Sequence, residues 1–251
     1  MRKLLAALYS ACVYVFFLAV FLYAIGFVEN VLVPKSIDSG TRGSITGALL
    51  IDAGLLVLFA IQHSLMARPG FKRLWTRIVP SELERSTYVL FASLALALLC
   101  WQWRPLPEPV WSVHGRVAAG VLLAISWAGW GMLLLSTFLI SHFELFGLSQ
   151  GFARLLGREV PEPVFATPLF YRWLRHPIYA GFILAFWAAP HMTLGHLFFA
   201  VATTGYIFVG IWFEERDLIA HFGGRYRQYR ATVGMLVPKI RLTGPRKGVA
   251  H

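Results

Sequence analysis

Two short runs in the last third of the chain hold residue types that do chemistry together. The first is Arg175-His-Pro-Ile-Tyr-Ala-Gly181. Pro177 suits the first turn of a helix, where its missing amide costs nothing, so His176 falls at or near the N-cap. Tyr179 lies early in that helix. Gly181, four residues after Pro177, shares its face, and its missing side chain lets another helix or a ligand approach closely. The second run is Phe213-Glu-Glu-Arg-Asp217, at the end of an apolar stretch. Two adjacent carboxylates at a helix C-terminal end oppose the helix dipole, which favours cations there. A compensating partner is therefore expected, such as Arg175, Arg216 or the hydroxyls of a ribose. Phe222-Gly-Gly-Arg-Tyr-Arg-Gln-Tyr229 follows as a basic, aromatic segment suited to fold over this mouth. Plainer uses fit the same residues: a helix entering a membrane beside a snorkelling arginine, and one leaving it with a solvated charged face.

The elements that must position these residues are apolar. Hydrophobic residues make up 57% of the 251 and charged ones 14%, against about 25% charged in a soluble domain. Leu4 to Val28 contains no charged side chain, and roughly 20 such residues cross a bilayer as a helix. It is too long for a signal-peptide core, so a retained span is expected. Ile45–Met66, Ser86–Trp103 and Val117–Ile140 follow as further spans. Ile178–Ala189 and Leu194–Phe213 flank the break Pro190-His191-Met192-Thr193, which reads as a helical hairpin with a short first arm. The expected fold class is all-α: a polytopic integral membrane bundle of five to six spans ending in that hairpin, with a polar pocket at its cytoplasmic mouth. Residues 1–140 form a four-span bundle and 141–251 the region carrying the chemistry, in one continuous domain. Phe71, Leu74, Trp75 and Ile78 recur at helical spacing, which predicts an interfacial amphipathic helix over Pro69–Glu84. Arg104–Pro109 reads as a turn, and Pro161, Pro163 and Pro168 mark a polar connection.

The net charge of +11 does not point to nucleic acid, because the basic residues are sorted by membrane side. With six crossings, 19 of the 23 Lys and Arg fall on the side of the amino terminus, and only Lys35, Arg42, Arg104 and Arg116 on the other. That asymmetry predicts both termini in the cytoplasm, with membrane lipids as the partners of the basic surface. Cys12 and Cys100 lie within apolar spans and read as small core residues. His191 and His196 are five apart, and no HxxxH or HExxH occurs, so no metal site is expected. Asp52 and His63 are three helical turns apart on one face of the second span. Ionisable groups within a membrane are functional candidates; Asp52 falls nearer the external headgroups, which leaves His63 as the candidate to touch a substrate.

RHPIYAG, the hairpin, and EERDLIAHFGGRYRQYR followed by Pro238 resemble the carboxy-terminal region of isoprenylcysteine carboxyl methyltransferases, over about residues 170–240. QHSLMAR (62–68), ERSTYVL (84–90), SHFELFGLSQ (141–150) and AFWAAPHMTLGHL (185–197) extend the likeness over most of the chain. They resemble the bacterial methanethiol S-methyltransferase family, of the nurim-related group. The resemblance implies S-adenosyl-L-methionine as cofactor and a small thiol, methanethiol or hydrogen sulfide, as acceptor, in a bacterial inner membrane. It implies that His176 and Tyr179 contact the cofactor and that Gly181 clears room for it, with Gly147 and Gln150 also at the cofactor. Glu214 or Glu215 would hold the ribose hydroxyls, and Arg175 the carboxylate. Tyr179 or Trp187 would face the sulfonium. His142 would be first in line to accept the thiol proton, with His63 second. An isoprenoid or lipid acceptor, or a non-catalytic nurim-type accessory role, stays open at this point.

Overall fold

In the computed structural model the described residues are 1–158 and 165–239; Pro161, Pro163 and the basic tail from 240 onward lie outside them. In chain order the helices are α1 (Arg2–Glu29), α2 (Ile45–Ala67), α3 (Pro69–Trp75), α4 (Ser81–Gln102), α5 (Arg116–Ile140), α6 (His142–Leu145), α7 (Leu148–Leu156), α8 (Pro177–Trp187), α9 (Leu194–Phe222) and α10 (Gly224–Thr232). Five of them, α1, α2, α4, α5 and α9, are long and apolar enough to cross a membrane. Their outward positions carry Leu5, Leu8, Val15, Leu22, Ile61 and Val121, all exposed, as a surface solvated by lipid requires. The chain is a polytopic all-α membrane bundle.

Local chemistry sets the helix ends. Ser44 caps α2 by accepting from the Gly47 amide at 3.2 Å, and Thr193 caps α9 through the His196 amide at 3.1 Å. Asn30 takes the left-handed conformation that ends α1. Pro69 and Pro177 open α3 and α8 from the first turn. The helix expected over Pro69–Glu84 is corrected to two pieces. Pro80 biases the residue before it away from helix, so α3 stops at Trp75, and Ser81 to Arg85 become the first turns of α4.

The two turns read separately in the sequence meet in space. Strand β1 (Pro109–Ser112) pairs antiparallel with β2 (His191–Thr193), and the Ser112 hydroxyl and His191 Nδ1 lie 2.8 Å apart. This ribbon ties the α4–α5 connection to the hairpin tip. The short arm α8 has eleven residues, about 16 Å of rise. It begins beside Glu215 near one end of α9, where His176 Nε2 lies 3.2 Å from the carboxylate. Near its other end the Phe186 carbonyl accepts from His196 Nε2 at 2.9 Å. Helix α8 thus runs between the two ends of the bundle, and the extended residues after it complete the passage.

Packing joins the early and late parts of the chain into one core. Helix α1 packs on α4 and α7, α2 on α4, and α5 on α8. Phe27, Trp103, Trp130, Phe186 and Phe199 form its aromatic centre. Where α5 crosses α8, a Cβ added at Gly181 would meet the Gly129 carbonyl oxygen at 2.6 Å, and one at Gly129 would meet that of Gly181 at 2.7 Å. Small residues let membrane helices approach this closely. The missing side chain of Gly181 thus admits α5, one of the two close approaches its place in the sequence allows.

Candidate functional site

Residues 174–176, the last turns of α9, and α10 with the segment after it converge at one end of the hairpin. The amide of Arg175 donates to the Gly234 carbonyl at 2.8 Å and that of His176 to the Met235 carbonyl at 3.2 Å, so the segment after α10 is stitched to the start of α8. The Tyr229 hydroxyl donates to the Tyr171 carbonyl at 2.5 Å, and burial pushes its pKa up to about 12, so it stays a donor. These ties hold Arg175 and His176 against Glu215.

Glu215 is saturated. Its Oε1 accepts from Arg175 Nε at 2.7 Å and lies 3.2 Å from His176 Nε2, and its Oε2 is 3.0 Å from Arg230 Nε. The Arg175 fork is equally committed, since its Nη1 donates to the Val233 and Arg230 carbonyls at 2.6 and 3.2 Å. Both side chains are only 8% exposed. Arg175 is thus the compensating partner of the adjacent carboxylates, taken up by Glu215, and the neighbouring Glu214 is the open carboxylate, with 44% of its side chain exposed. The buried His176 ring presents Nδ1 to Glu214 Oε2 at 3.7 Å, and the Tyr179 hydroxyl lies 3.6 Å from where a Cβ at Gly210 would stand, one turn before Glu214 on α9. These two side chains stand beside the open carboxylate.

One more group faces this cluster. Among the described residues the buried Tyr226 hydroxyl has no hydrogen-bond partner, and the charges of Glu215, Arg175 and Glu214 act on it. Burial raises its pKa, so the proton stays on. A buried hydroxyl without a protein partner beside a half-open carboxylate is free to bond a polar ligand or a water. An adenosyl cofactor fits this chemistry: Glu214 would accept from its ribose hydroxyls and Tyr226 would gain a partner, with Tyr179 alongside.

The other predicted residues fall elsewhere. His142 is held against α1: its Nε2 lies 2.8 Å from the Tyr14 hydroxyl and its Nδ1 2.7 Å from Thr137 Oγ1. Phe138 stacks on it at 4.0 Å. Both ring nitrogens are taken, and burial holds the imidazole below its usual pKa. Gly147, at φ +84°, presses its backbone onto Ser86 of α4, which donates to its carbonyl at 3.0 Å. Gln150 donates to the Glu144 carbonyl at 3.2 Å. These three residues lock α6 and α7 onto α1 and α4. Trp187 lies at the far end of α8, bonded to Thr204 Oγ1 at 2.9 Å, remote from Glu214. Asp52 is fully buried and accepts from the Arg104 amide at 2.8 Å, closing the turn after α4. His63 meets Tyr88, whose hydroxyl lies 3.0 Å from either ring nitrogen.

Sequence reasoning missed Arg230, Tyr226, Tyr88 and Tyr206 as individual residues. Arg230 and Tyr226 stand in or beside the basic, aromatic run already singled out, and Tyr88 within ERSTYVL. Nothing local distinguished Tyr206 from other aromatics of its span.

Comparison with known proteins bears on what this geometry serves. The chain is 56% identical over 236 residues to methanethiol S-methyltransferase 1 of Bradyrhizobium diazoefficiens, covering 94% of this chain and 83% of that protein. It is 52% identical over 238 residues to the methanethiol S-methyltransferase of Mycobacterium tuberculosis, covering 95% and 98%. The chain belongs to the methanethiol S-methyltransferase family. Human nurim is a more distant relative of this family member, 34% identical over 188 residues and 70% of each chain. No family model matches the chain, and no solved structure does. As a member of a methyltransferase family, the chain must hold a methyl donor and an acceptor side by side. The Tyr179 hydroxyl lies against Gly210 of α9, which stands four residues from Tyr206 on one side and four from Glu214 on the other.

Proposed function

We propose that the chain is an S-adenosyl-L-methionine-dependent thiol S-methyltransferase that converts methanethiol to dimethyl sulfide and also accepts hydrogen sulfide. The observation that carries this reading is the open carboxylate of Glu214 beside the saturated Arg175–Glu215–Arg230 network, in a chain more than half identical to proteins named for this reaction. Glu214 accepts from the ribose hydroxyls, as acidic residues do in other nucleotide sites. His176 and Tyr179 flank that carboxylate, and Tyr226 supplies a polar contact from α10. Arg230, half-exposed, is the guanidinium near enough to the surface to meet the cofactor's carboxylate. Bound there, the cofactor supplies an electrophilic methyl group on a positively charged sulfur. The ring of Tyr179 offers that charge an aromatic face. Alignment of acceptor sulfur and methyl carbon supplies roughly 7–11 kcal/mol of the barrier reduction, so the protein's main task is rigidity, which the stitched 174–176 and 233–236 segments provide.

In this reading the protein sits in a bacterial inner membrane with both termini cytoplasmic, as the positive-inside pattern supports, and the Glu214 mouth opens to the cytoplasm where the methyl donor is made. Headspace analysis after feeding methanethiol to cells expressing the chain gives dimethyl sulfide above the background of an empty vector. Calorimetry of the purified protein gives measurable binding of S-adenosylhomocysteine, reduced in Glu214→Gln. Binding without dimethyl sulfide, but with methylation of a prenylated carboxylate, would transfer the chain to the isoprenoid reaction. Absence of binding would leave an accessory role.

A further inference from the structure

A small thiol is a poor nucleophile until it loses its proton, and the histidine that the sequence put first for that task, His142, has a separate partner on each ring nitrogen. His63 is built the other way. A single hydroxyl, that of Tyr88, stands 3.0 Å from both Nδ1 and Nε2. One hydroxyl serves only one of the two nitrogens at a time, so the other is left for a ligand.

The surroundings are those of a pocket for something small and apolar with one polar atom. Phe59 stacks on the imidazole at 5.4 Å and Tyr206 stands edge-on to it at 6.4 Å. Tyr206 is itself fixed by Ser64, hydroxyl to hydroxyl at 2.9 Å. Tyr88 is buried, while His63, Tyr179 and Tyr206 each keep part of their surface open, although they stand between α2, α4, α8 and α9. Partial exposure at these positions leaves the imidazole reachable between the helices. Tyr179 links this place to the donor mouth: its hydroxyl lies 3.6 Å from where a Cβ at Gly210 would stand, one turn after Tyr206 and one turn before Glu214 on α9.

We infer that the place framed by His63, Phe59, Tyr88 and Tyr206 is the acceptor pocket, and that His63 takes the proton of a small alkanethiol bound there. The assignment rests on the methyltransferase reading above. The thiol's S–H bond breaks and an N–H bond forms on His63, leaving the electron pair on sulfur. That pair makes the new carbon–sulfur bond while the methyl's old bond breaks with its pair on the departing sulfur, and the imidazolium returns its proton to water. Phe59 and Tyr206 wall the alkyl group, Tyr88 orients the imidazole, and the narrow spacing selects short thiols.

The test compares two acceptors of different acidity in His63→Gln. Methanethiol is mostly protonated near neutral pH, whereas hydrogen sulfide is a stronger acid and already substantially ionised. The variant should methylate methanethiol about 10²–10⁴-fold more slowly, the usual weight of a general base, with a far smaller loss on hydrogen sulfide. Its affinity for S-adenosylhomocysteine by calorimetry should match the parent, which shows that fold and donor site are intact. Equal losses on both thiols, or loss of S-adenosylhomocysteine binding, would overturn the assignment. In Tyr206→Ala the pocket widens and propanethiol should become a substrate; no gain on longer thiols would remove Tyr206 from the wall. If the parent protein binds S-adenosylhomocysteine but methylates neither thiol, the reading of function fails, which is a separate result from any effect of His63.

Discussion

At the Leu194 end of α9 polar side chains are used to fix turns, while at the Phe222 end a saturated carboxylate stands beside an open one. At the first end Thr193 caps the helix and bonds Asp38, and His196 donates to the Phe186 carbonyl; these contacts close the hairpin against the β1–β2 ribbon. At the second end Glu215 binds two arginines and a histidine, and its neighbour Glu214 is left half-exposed. Neighbouring residues of one type therefore divide into anchor and instrument according to how many partners the fold supplies. A charge whose partners are complete contributes to structure, and one held in place but left open contributes chemistry.

The strongest way to break this comparison is at Glu215. Glu215→Gln leaves Arg175 buried without its counter-charge, and removing one member of a buried pair costs about 3–5 kcal/mol. We expect a large drop in thermal stability in detergent together with loss of S-adenosylhomocysteine binding. Glu214→Gln should separate the two properties. Its melting temperature stays close to the parent's, and cofactor-product affinity falls roughly ten- to a hundredfold, the weight of hydrogen bonds to a charged group. Equal melting-temperature losses in the two variants would erase the distinction between anchor and instrument.

Gly181→Ala sharpens the same contrast from the packing side. A methyl group there meets the Gly129 carbonyl oxygen at 2.6 Å, and overpacking costs about 1–3 kcal/mol. Stability should fall while the affinity of correctly folded protein for S-adenosylhomocysteine holds; a selective loss of binding would place Gly181 at the cofactor site. The smallest effect is expected at His142. Burial lowers its pKa in the folded chain, so below about pH 6.5 the unfolded chain binds more protons at this residue. Its stabilising contribution is complete above that pH and is lost as pH falls through the folded value. Unfolding measured in detergent from pH 8 to pH 5 should show a shallower acid dependence in His142→Asn than in the parent.

Much of the architecture was legible because it depends on local quantities. The length of the charge-free run from Leu4 to Val28, Pro177 at a helix start and the break at Pro190 each constrain a few neighbouring residues, so their signals survive in one dimension. The split at Pro80 is just as local, but the apolar spacing of Phe71, Leu74 and Trp75 carries on to Ile78 and masks it. The grouping of Arg175, His176, Tyr179, Glu214 and Glu215 followed from motif spacing and resemblance.

What only the tertiary structure decided is which member of each like pair is engaged. Glu214 and Glu215 are adjacent and chemically identical in sequence, and their difference arises from Arg175, forty residues earlier, and Arg230, on another helix. His142 and His63 both lie at helix positions near an end of the bundle. Their difference arises from Tyr14 and Thr137 closing one ring while Tyr88 straddles the other. The sequence by itself determined that these groups exist near a membrane boundary, because length and hydropathy act along the chain. Hydrogen-bond saturation depends on atoms brought within 3 Å by packing, and no periodicity encodes that.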